Sequence, residues 1–409
     1  MDISNRRTYF RIIITLGFLI GLNPFSIDMY LPGFSSIAAS LGTDVATVGL
    51  SLASFFAGIC LGQLFYGPIL DRFGRKKPLL IGLSIYLLAS VGCAFVTSVE
   101  QLIALRFVQA LGGCSGMVAS RAMVRDIFPP QDNARVFSML ILVMGVAPII
   151  APSVGGALVT FFDWHAIFIV LAVITAMVMA AVILFLPESK GPDASVSLDP
   201  VKVAAGYFRV MLNRRFVLYT LAMAFCSAAL FGYITSSPLL FMEVYGLGEF
   251  QYSMAFSFCA FCLIMGSQVN RALLNRMTEE RAALLTGGVL IAVTLILLLL
   301  MLGPVPHLAV VLTCMAVFMF SIGIFNPNTS ALAMTSVSHN IGMASAMTGF
   351  VQMGLSAVIA GMVSVFANGT TIPMVLTMFG CSLILLACVL FAKGTPGELS
   401  ETEEVPAAH

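Results

Sequence analysis

Long apolar runs separated by short polar breaks dominate the chain. Runs such as residues 284–302 and 373–392 show no regular alternation of apolar and polar positions. Alternation is typical of a membrane β-barrel, whereas a helix that spans the membrane needs about 20 apolar residues in a row. The pattern therefore predicts an all-α membrane protein with twelve transmembrane helices. Their predicted limits are residues 9–34, 45–69, 77–97, 100–122, 134–160, 164–186, 215–242, 251–271, 282–302, 307–333, 341–367 and 372–392.

The widest polar break divides these helices six and six. Residues 187–214 are rich in Pro, Ser, Gly and charge. A short internal repeat agrees with this division, because residues 67–72 and 266–271 both read Gly-x-x-x-(Asp/Asn)-Arg. Internal repeats are common among secondary transporters. We predict two six-helix bundles, residues 1–186 and 215–393, joined by a cytoplasmic linker over 187–214. A disordered cytoplasmic tail is predicted over 394–409.

Composition narrows the class of protein further. Of the 409 residues, 59% are hydrophobic and only 10% are charged, whereas soluble domains carry about 25% charged residues. This excludes a soluble enzyme and a disordered chain. The net charge of +1 provides no basic surface for nucleic acid. What remains is a membrane protein that crosses the bilayer many times.

The basic residues predict the orientation of the chain. When the N-terminus is placed in the cytoplasm, all Lys and Arg residues but one fall in the predicted cytoplasmic segments. The exception, Arg106, lies inside the fourth predicted helix. This distribution follows the positive-inside rule without a violation. We therefore expect both termini in the cytoplasm.

Metal, redox and nucleotide chemistry find no support in the motifs. The nine cysteines all fall within predicted helices, and Cys259-x-x-Cys262 has no third ligand nearby. The four histidines lie at breaks or in the tail, and no phosphate-binding loop is present. We expect no metal, no cofactor and no enzymatic activity, so any transport has to be driven by an ion gradient.

Two charges are left in the interior of the predicted helices, Asp28 and Arg106. Each costs roughly 2.5–3.5 kcal/mol at the middle of a membrane, so such residues face a cavity or a bundle interior. Both lie about 9 Å below the predicted outer face, a depth that would allow a direct or water-bridged pair. One interpretation is a structural ion pair. The other is a proton and substrate site, in which a carboxylate loads and releases a proton.

Residues 67–78 read Gly-Pro-Ile-Leu-Asp-Arg-Phe-Gly-Arg-Lys-Lys-Pro. This segment resembles the loop signature of the major facilitator superfamily, with Ile69 where Leu is common. The resemblance implies a conformational latch that closes the cytoplasmic side of the outward-open state. Its expected members are Gly67, Asp71, Arg72, Gly74 and Arg75.

Three further segments resemble signatures of the same family. Residues 106–110 are similar to Arg-x-x-Gln-Gly, with Ala110 in place of the last Gly, and this implies proton coupling by Arg106. Residues 145–156 are similar to the antiporter signature of drug exporters. Asp28 begins an Asp-Met-Tyr-Leu-Pro run that resembles the bicyclomycin- and chloramphenicol-resistance branch. The antiporter signature residues are Pro148, Pro152, Gly155 and Gly156.

The resemblance implies a monomeric drug:proton antiporter of the bacterial inner membrane that works by alternating access. Its partners would be a small-molecule substrate, protons and the lipid bilayer. Ile234 stands in the seventh helix where the first has Asp28, so we expect Asp28 to carry the coupling alone. By the same resemblance, helices 1, 4, 7 and 10 line the substrate cavity. Their candidate wall residues are Tyr30, Gln109, Tyr233, Ser236, Ser237, Asn326 and Asn328.

Two other functions stay open at this point. The first is a transporter of one specific metabolite, such as a sugar or a nucleoside. The second is a membrane receptor or scaffold that transports nothing, for which Asp28 and Arg106 would be dispensable.

Overall fold

The computed structural model describes residues 6–195, 199–337, 341–367 and 369–393. The predicted tail over 394–409 lies outside these residues. Within them, a 3-10 turn over Leu31–Gly33 and a π-helical segment over Leu239–Val244 accompany fourteen α-helices. The helices are α1 (Arg6–Asp28), α2 (Phe34–Leu41), α3 (Val45–Phe73), α4 (Lys76–Cys93), α5 (Val99–Ile127), α6 (Pro130–Phe161), α7 (His165–Phe185), α8 (Pro200–Met211), α9 (Arg214–Pro238), α10 (Glu249–Leu273), α11 (Glu279–Met301), α12 (Leu308–Thr335), α13 (Ile341–Val365) and α14 (Ile372–Lys393).

Twelve segments of the described chain are long and apolar enough to cross a membrane, which confirms the predicted number. They form two six-helix bundles, one from α1 and α3–α7 and the other from α9–α14. The bundles meet where α3 packs on α13 and where α6 packs on α10. We call the side that carries the α3–α4 connection and α8 the basic side.

The first span is longer than predicted. It runs from Tyr9 to Leu41 and consists of α1, the 3-10 turn and α2. Pro32 lies in the turn and has no N–H to donate, so the α1 helix does not continue through it. The predicted end at residue 34 is therefore wrong, because the serines that follow lower the hydropathy of a segment that is still helical. As a result, Asp28 lies deeper in its span than the sequence indicated.

The linker between the bundles contains a helix that the sequence analysis missed. Asp199 accepts a hydrogen bond from the Val201 N–H (3.0 Å) at the start of α8. Tyr207 of α8 donates its hydroxyl to the Leu64 carbonyl of α3 (3.2 Å). α8 also packs against α13. The polar residues before Pro200 hid the helical signal, and α8 bridges α3 of the first bundle and α13 of the second on the basic side.

Glycines allow a close helix crossing in the second bundle. A Cβ atom at Gly266 of α10 would collide with the Phe320 carbonyl of α12, and one at Gly323 of α12 would collide with the Leu263 carbonyl of α10. Small residues allow helix backbones in membranes to approach in this way. The two glycines therefore fix how closely α10 and α12 pack.

This crossing generates a stability prediction. Gly323→Ala should destabilise the protein by about 1–3 kcal/mol, because the added methyl group overpacks the α10–α12 contact. Gly288→Ala is the matched control, since Gly288 of α11 has no neighbouring atom within 4 Å of an added Cβ. Thermal unfolding of both variants in detergent measures the difference. Equal melting temperatures for the two variants would contradict the prediction.

Candidate functional site

Arg106 is fully buried inside the first bundle, on α5. Its Nη1 donates to the Gln109 side-chain oxygen (2.6 Å), and its Nη2 donates to the Ser26 carbonyl (3.0 Å). The guanidinium carbon lies 4.5 Å from the ring centroid of Tyr30 and 4.2 Å from that of Phe55. Ser26 is in the last turn of α1, where carbonyls lack intrahelical partners. Arg106 therefore caps the end of α1 and is held by neutral oxygens and aromatic faces.

The polar network around Arg106 extends through four helices. Gln109 donates to the Ser90 hydroxyl of α4 (2.7 Å), and the Tyr30 hydroxyl pairs with that of Ser51 on α3 (2.8 Å). Ser26 and Tyr86 also share a hydrogen bond. Tyr30 and Gln109 were predicted as cavity wall. The structure instead places their polar groups in the core of the first bundle.

Asp28 occupies the last position of α1 and is 4% exposed. Among the described residues, no cation lies within ion-pair distance of its carboxylate and no hydrogen bond reaches it. The direct pair with Arg106 considered from the sequence is therefore not formed in this conformation. Tyr252, on α10 of the second bundle, lies within electrostatic range of Asp28. Asp28 thus lies where the two bundles meet.

The segment that resembles an antiporter signature runs beside Asp28, in α6. A Cβ atom at Gly155 would collide with the carbonyl of Met29, the residue after Asp28. A Cβ atom at Gly156 would come within 2.7 Å of the Ser253 hydroxyl oxygen of α10. Two adjacent glycines therefore let α6 contact α1 on one side and the second bundle on the other.

Serine hydroxyls of α10 complete this contact between the bundles. Ser253 donates to the Pro152 carbonyl (2.8 Å), and Ser257 donates to the Ile149 carbonyl (2.9 Å). Pro148 and Pro152 lie in this same stretch of α6. Because neither has an N–H group, two helical hydrogen bonds are missing where α6 contacts the second bundle.

Arg75 is the centre of the predicted latch. Its side chain is 7% exposed, and it donates to Asp126 through Nε (2.8 Å) and to Asp71 through Nη1 (2.8 Å). Its backbone N–H donates to Glu188 of the linker (2.6 Å). Burial alone would lower the pKa of Arg75, but the hydrogen bonds and charges of Asp126 and Asp71 outweigh it and raise the pKa. The latch residue therefore stays charged.

The rest of the predicted latch surrounds Arg75. Gly74 has a positive φ of 85°, and a Cβ there would lie 3.3 Å from the Glu188 carboxyl group, so this position favours glycine for two reasons. Arg72 donates to the Ala194 carbonyl (3.3 Å). An added Cβ at Gly67 would meet no atom within 4 Å. The described contacts of Asp71 and Arg75 stay within the first bundle and the linker, so these two latch residues make no described contact with the second bundle in this conformation.

The predicted wall residues of the second bundle lie in separate environments. The Tyr233 ring lies parallel to that of Phe256 on α10, with centroids 6.3 Å apart. Ser237 pairs with the Tyr252 hydroxyl (2.8 Å) and so lies near Asp28. Ser236 is buried and Asn326 is half-buried.

Asn328 lies apart from these residues, because its Nδ2 donates to the Asn270 side-chain oxygen inside the bundle (2.8 Å). Tyr252 was missed by the sequence analysis, because its helix is not among those that the resemblance expects to line the cavity. The structure therefore brings together only part of the predicted wall.

Arg121 is the second functional candidate that the sequence analysis missed. Within the described spans, only Asp28, Arg106 and Arg121 carry charge more than two residues from a span end. With the predicted helix ending at residue 122, Arg121 was assigned to the cytoplasmic region beside the helix end, whereas α5 continues to Ile127. The apolar residues after Arg121 are the signal that could have located it. Arg121 lines a cavity of about 370 Å³ between the bundles, on the basic side.

Comparison with known proteins agrees with the architecture. The sequence profile of the Major Facilitator Superfamily matches residues 16–361. A crystal structure of a variant of the nucleoside transporter NupG superposes with a TM-score of 0.74 at 15% identity, covering 94% of this chain and 99% of that one. This likeness concerns the fold alone.

Three bacterial relatives align along nearly the whole chain. The "Uncharacterized MFS-type transporter YdgK" of Bacillus subtilis is 32% identical, covering 91% of this chain and 93% of the relative. The "Bicyclomycin resistance protein homolog" of Haemophilus influenzae is 31% identical, covering 95% and 97%. The "Multidrug resistance protein MdtL" of Shewanella oneidensis is 29% identical, covering 97% and 99%.

The Arg75 cluster generates the prediction of this subsection. Arg75→Gln and Asp126→Asn should each lower the melting temperature, because either change leaves a partly buried charge without its partner. The double variant should lose less than the two single losses added together, with a coupling of about 0.5–3 kcal/mol. Thermal unfolding in detergent measures all three variants. Lys77→Gln, which removes an exposed charge from the first turn of α4, is the control, and strict additivity would contradict the pairing.

Proposed function

This chain belongs to the Major Facilitator Superfamily of secondary transporters, and we propose that it is a drug:proton antiporter. It is a membrane protein and not an enzyme. In the proposal it exports amphiphilic or neutral compounds by alternating access, as a monomer in the inner membrane of a bacterium, with both termini in the cytoplasm. The names of two relatives, a bicyclomycin resistance homolog and a multidrug resistance protein, support drugs as the substrate class.

The environment of Asp28 is the observation that carries the proposal. A carboxylate shut away from water and from cations is costly to bury, whereas a protonated carboxyl group is much less so. The packing of α1, α6 and α10 around Asp28 therefore favours closure once a proton is bound. Opening the contact to water on one side of the membrane would let the proton leave. Asp28 is thus the proton carrier of the proposed mechanism.

Arg106 acts on this site as a positioning residue. It caps the Ser26 carbonyl two residues before Asp28, and so holds the end of α1 against α5. Its two Nη groups donate to neutral oxygens and its guanidinium lies against aromatic rings, so it forms no ion pair with the Asp28 carboxyl group, which stays free to exchange its proton. A movement of α1 relative to α5 would change both environments together.

We assign the remaining predicted residues either to the substrate site or to the latch. Ser237 and Tyr252 neighbour Asp28, with Tyr233 and Ser236 on the same helix as Ser237, and we assign these four to the substrate site. Gln109, Tyr30, Asn326 and Asn328 support the substrate site indirectly, through the packing of α5, α1 and α12.

The latch is the second set of predicted positions. Asp71 borders the cavity that α13 also lines. Closure of the basic side would bring this cluster against α13.

Replacement of Asp28 tests the coupling. In proteoliposomes with an imposed pH gradient, addition of a transported drug should release protons with the unaltered protein and not with Asp28→Asn, because an amide cannot carry the proton. Asp44→Asn is the control, since Asp44 is an exposed helix cap on the opposite side. Undiminished gradient-driven flux in Asp28→Asn would refute the role of Asp28.

A substrate panel tests the substrate class. Overexpression in an efflux-deficient bacterium should raise resistance to drugs, with bicyclomycin included in the panel, and Asp28→Asn should remove that resistance. No resistance, together with altered efflux of a single sugar or nucleoside, would establish a specific metabolite transporter instead.

A further inference from the structure

The cavity on the basic side has a composition that the proposed mechanism does not use. It has a volume of about 370 Å³ and lies between α3 and α5 of the first bundle, α8 of the linker and α13 of the second bundle. Its polar lining includes Gln63, Asp71, Arg75, Arg121, Arg125 and Tyr207. It therefore lies between the two bundles, on the basic side.

The acidic and basic groups of the lining do not balance. Asp71 already contacts Arg75 (2.8 Å) and Lys190 (3.5 Å), and Arg75 also binds Asp126. Arg121 and Arg125 have neither an ion pair nor a hydrogen bond with any residue that the structure describes. The two arginines are therefore an excess of positive charge that the described residues do not neutralise.

The placement of these arginines is unfavourable without a ligand. They are four residues apart on α5, so they lie on one helix face, where like charges repel. Arg121 lies six residues before the end of the span, about 9 Å deep. A charge that served only to set the orientation of the chain in the membrane could lie at the helix end, in water. The depth of Arg121 and its position next to Arg125 suit a binding site for an anion.

Other groups of the lining suit an amphiphilic anion. Gln63 is 4% exposed, and among the described residues its amide nitrogen meets only the Met117 sulfur, a weak acceptor, at 4.0 Å. Its N–H groups are therefore available to a ligand oxygen. Val118, Met343 and Ala346 provide apolar surface beside these polar groups.

We propose that this cavity binds amphiphilic solutes carrying a carboxylate or another oxyanion. The anionic group lies between Arg121 and Arg125, Gln63 donates to it, and the apolar part packs on α13. The proposal rests on the proposed function in one respect, because it takes the cavity as the substrate entrance. It adds a substrate class, anionic amphiphiles, to the drugs considered above.

Equilibrium binding tests the site without a proton gradient, so its result is independent of the Asp28 experiment. The probes are an amphiphilic coumarin dye with a carboxylate and its uncharged methyl ester, followed by fluorescence polarisation. The protein is held in phosphatidylcholine nanodiscs. We expect the carboxylate dye to bind about tenfold more tightly than the ester, as one charge-assisted contact provides. Arg121→Gln should remove this preference.

Matched variants separate the site from the general charge of the protein. Arg271→Gln removes an equal charge from an exposed position on the basic side and should keep the preference. Arg125→Gln should weaken it, and provides the test if Arg121→Gln does not fold. Arg121→Lys should keep part of it, because a charge remains without the planar fork.

Three results would overturn the proposal. The first is equal affinity for the two dyes, or no binding of either by the unaltered protein. The second is a preference that survives both Arg121→Gln and Arg125→Gln. The third is loss of dye binding when the nanodiscs contain phosphatidylglycerol, which would reassign the arginines to a lipid headgroup.

Discussion

The cost of holding a charge away from water is the constraint on which this structure depends. The described spans carry only three charges more than two residues from an end, and each meets this cost differently. No described acidic residue pairs with Arg106, but a helix-end carbonyl, a side-chain amide and three aromatic rings stabilise its charge. Arg121 faces a cavity. In this conformation, Asp28 has neither a hydrogen-bond or ion-pair partner among the described residues nor a place in the lining of that cavity. Protonation is the remaining way to lower the cost of burying its carboxyl group.

Close backbone contact links this electrostatic site to the movement of the bundles. The carbonyl after Asp28 lies against Gly155, and the next residue of α6, Gly156, lies against Ser253 of the second bundle. A shift of α10 along α6 therefore acts on the same stretch of chain that encloses Asp28. The serine hydroxyls that join α10 to carbonyls of α6 are contacts that can be exchanged for water at small cost. The geometry thus allows the bundles to separate at the place where Asp28 lies.

The number of membrane-spanning helices could be predicted from the sequence, because a run of about twenty apolar residues crosses a bilayer as a helix. The sequence predicted poorly where polar residues lie within or next to a helix, as at α2, before α8 and at the charged end of α5. Hydropathy cannot distinguish a polar loop from a helix whose polar face lines a cavity. Charge alone located Asp28 and Arg106, but it did not show that the two side chains form no direct pair. Arg106 binds the Ser26 carbonyl instead, and that carbonyl is free to accept only because α1 ends nearby. Tyr252 depends on contact between bundles, which no local pattern encodes.

The two bundles share a short sequence repeat, but the equivalent residues of the repeat make different contacts. Asp71 and Asn270 hold the same place in the two Gly-x-x-x-(Asp/Asn)-Arg segments. Asp71 binds Arg75 and Lys190, whereas Asn270 accepts a hydrogen bond from the neutral Asn328. Likewise, Ile234 stands in the second bundle where Asp28 stands in the first. Amide and hydroxyl groups cost far less to move between water and protein than ions do. Movement of the second bundle over the first would therefore carry no ion through the interface, and the first bundle keeps the interior charges on which the proposed coupling and the proposed anion binding depend.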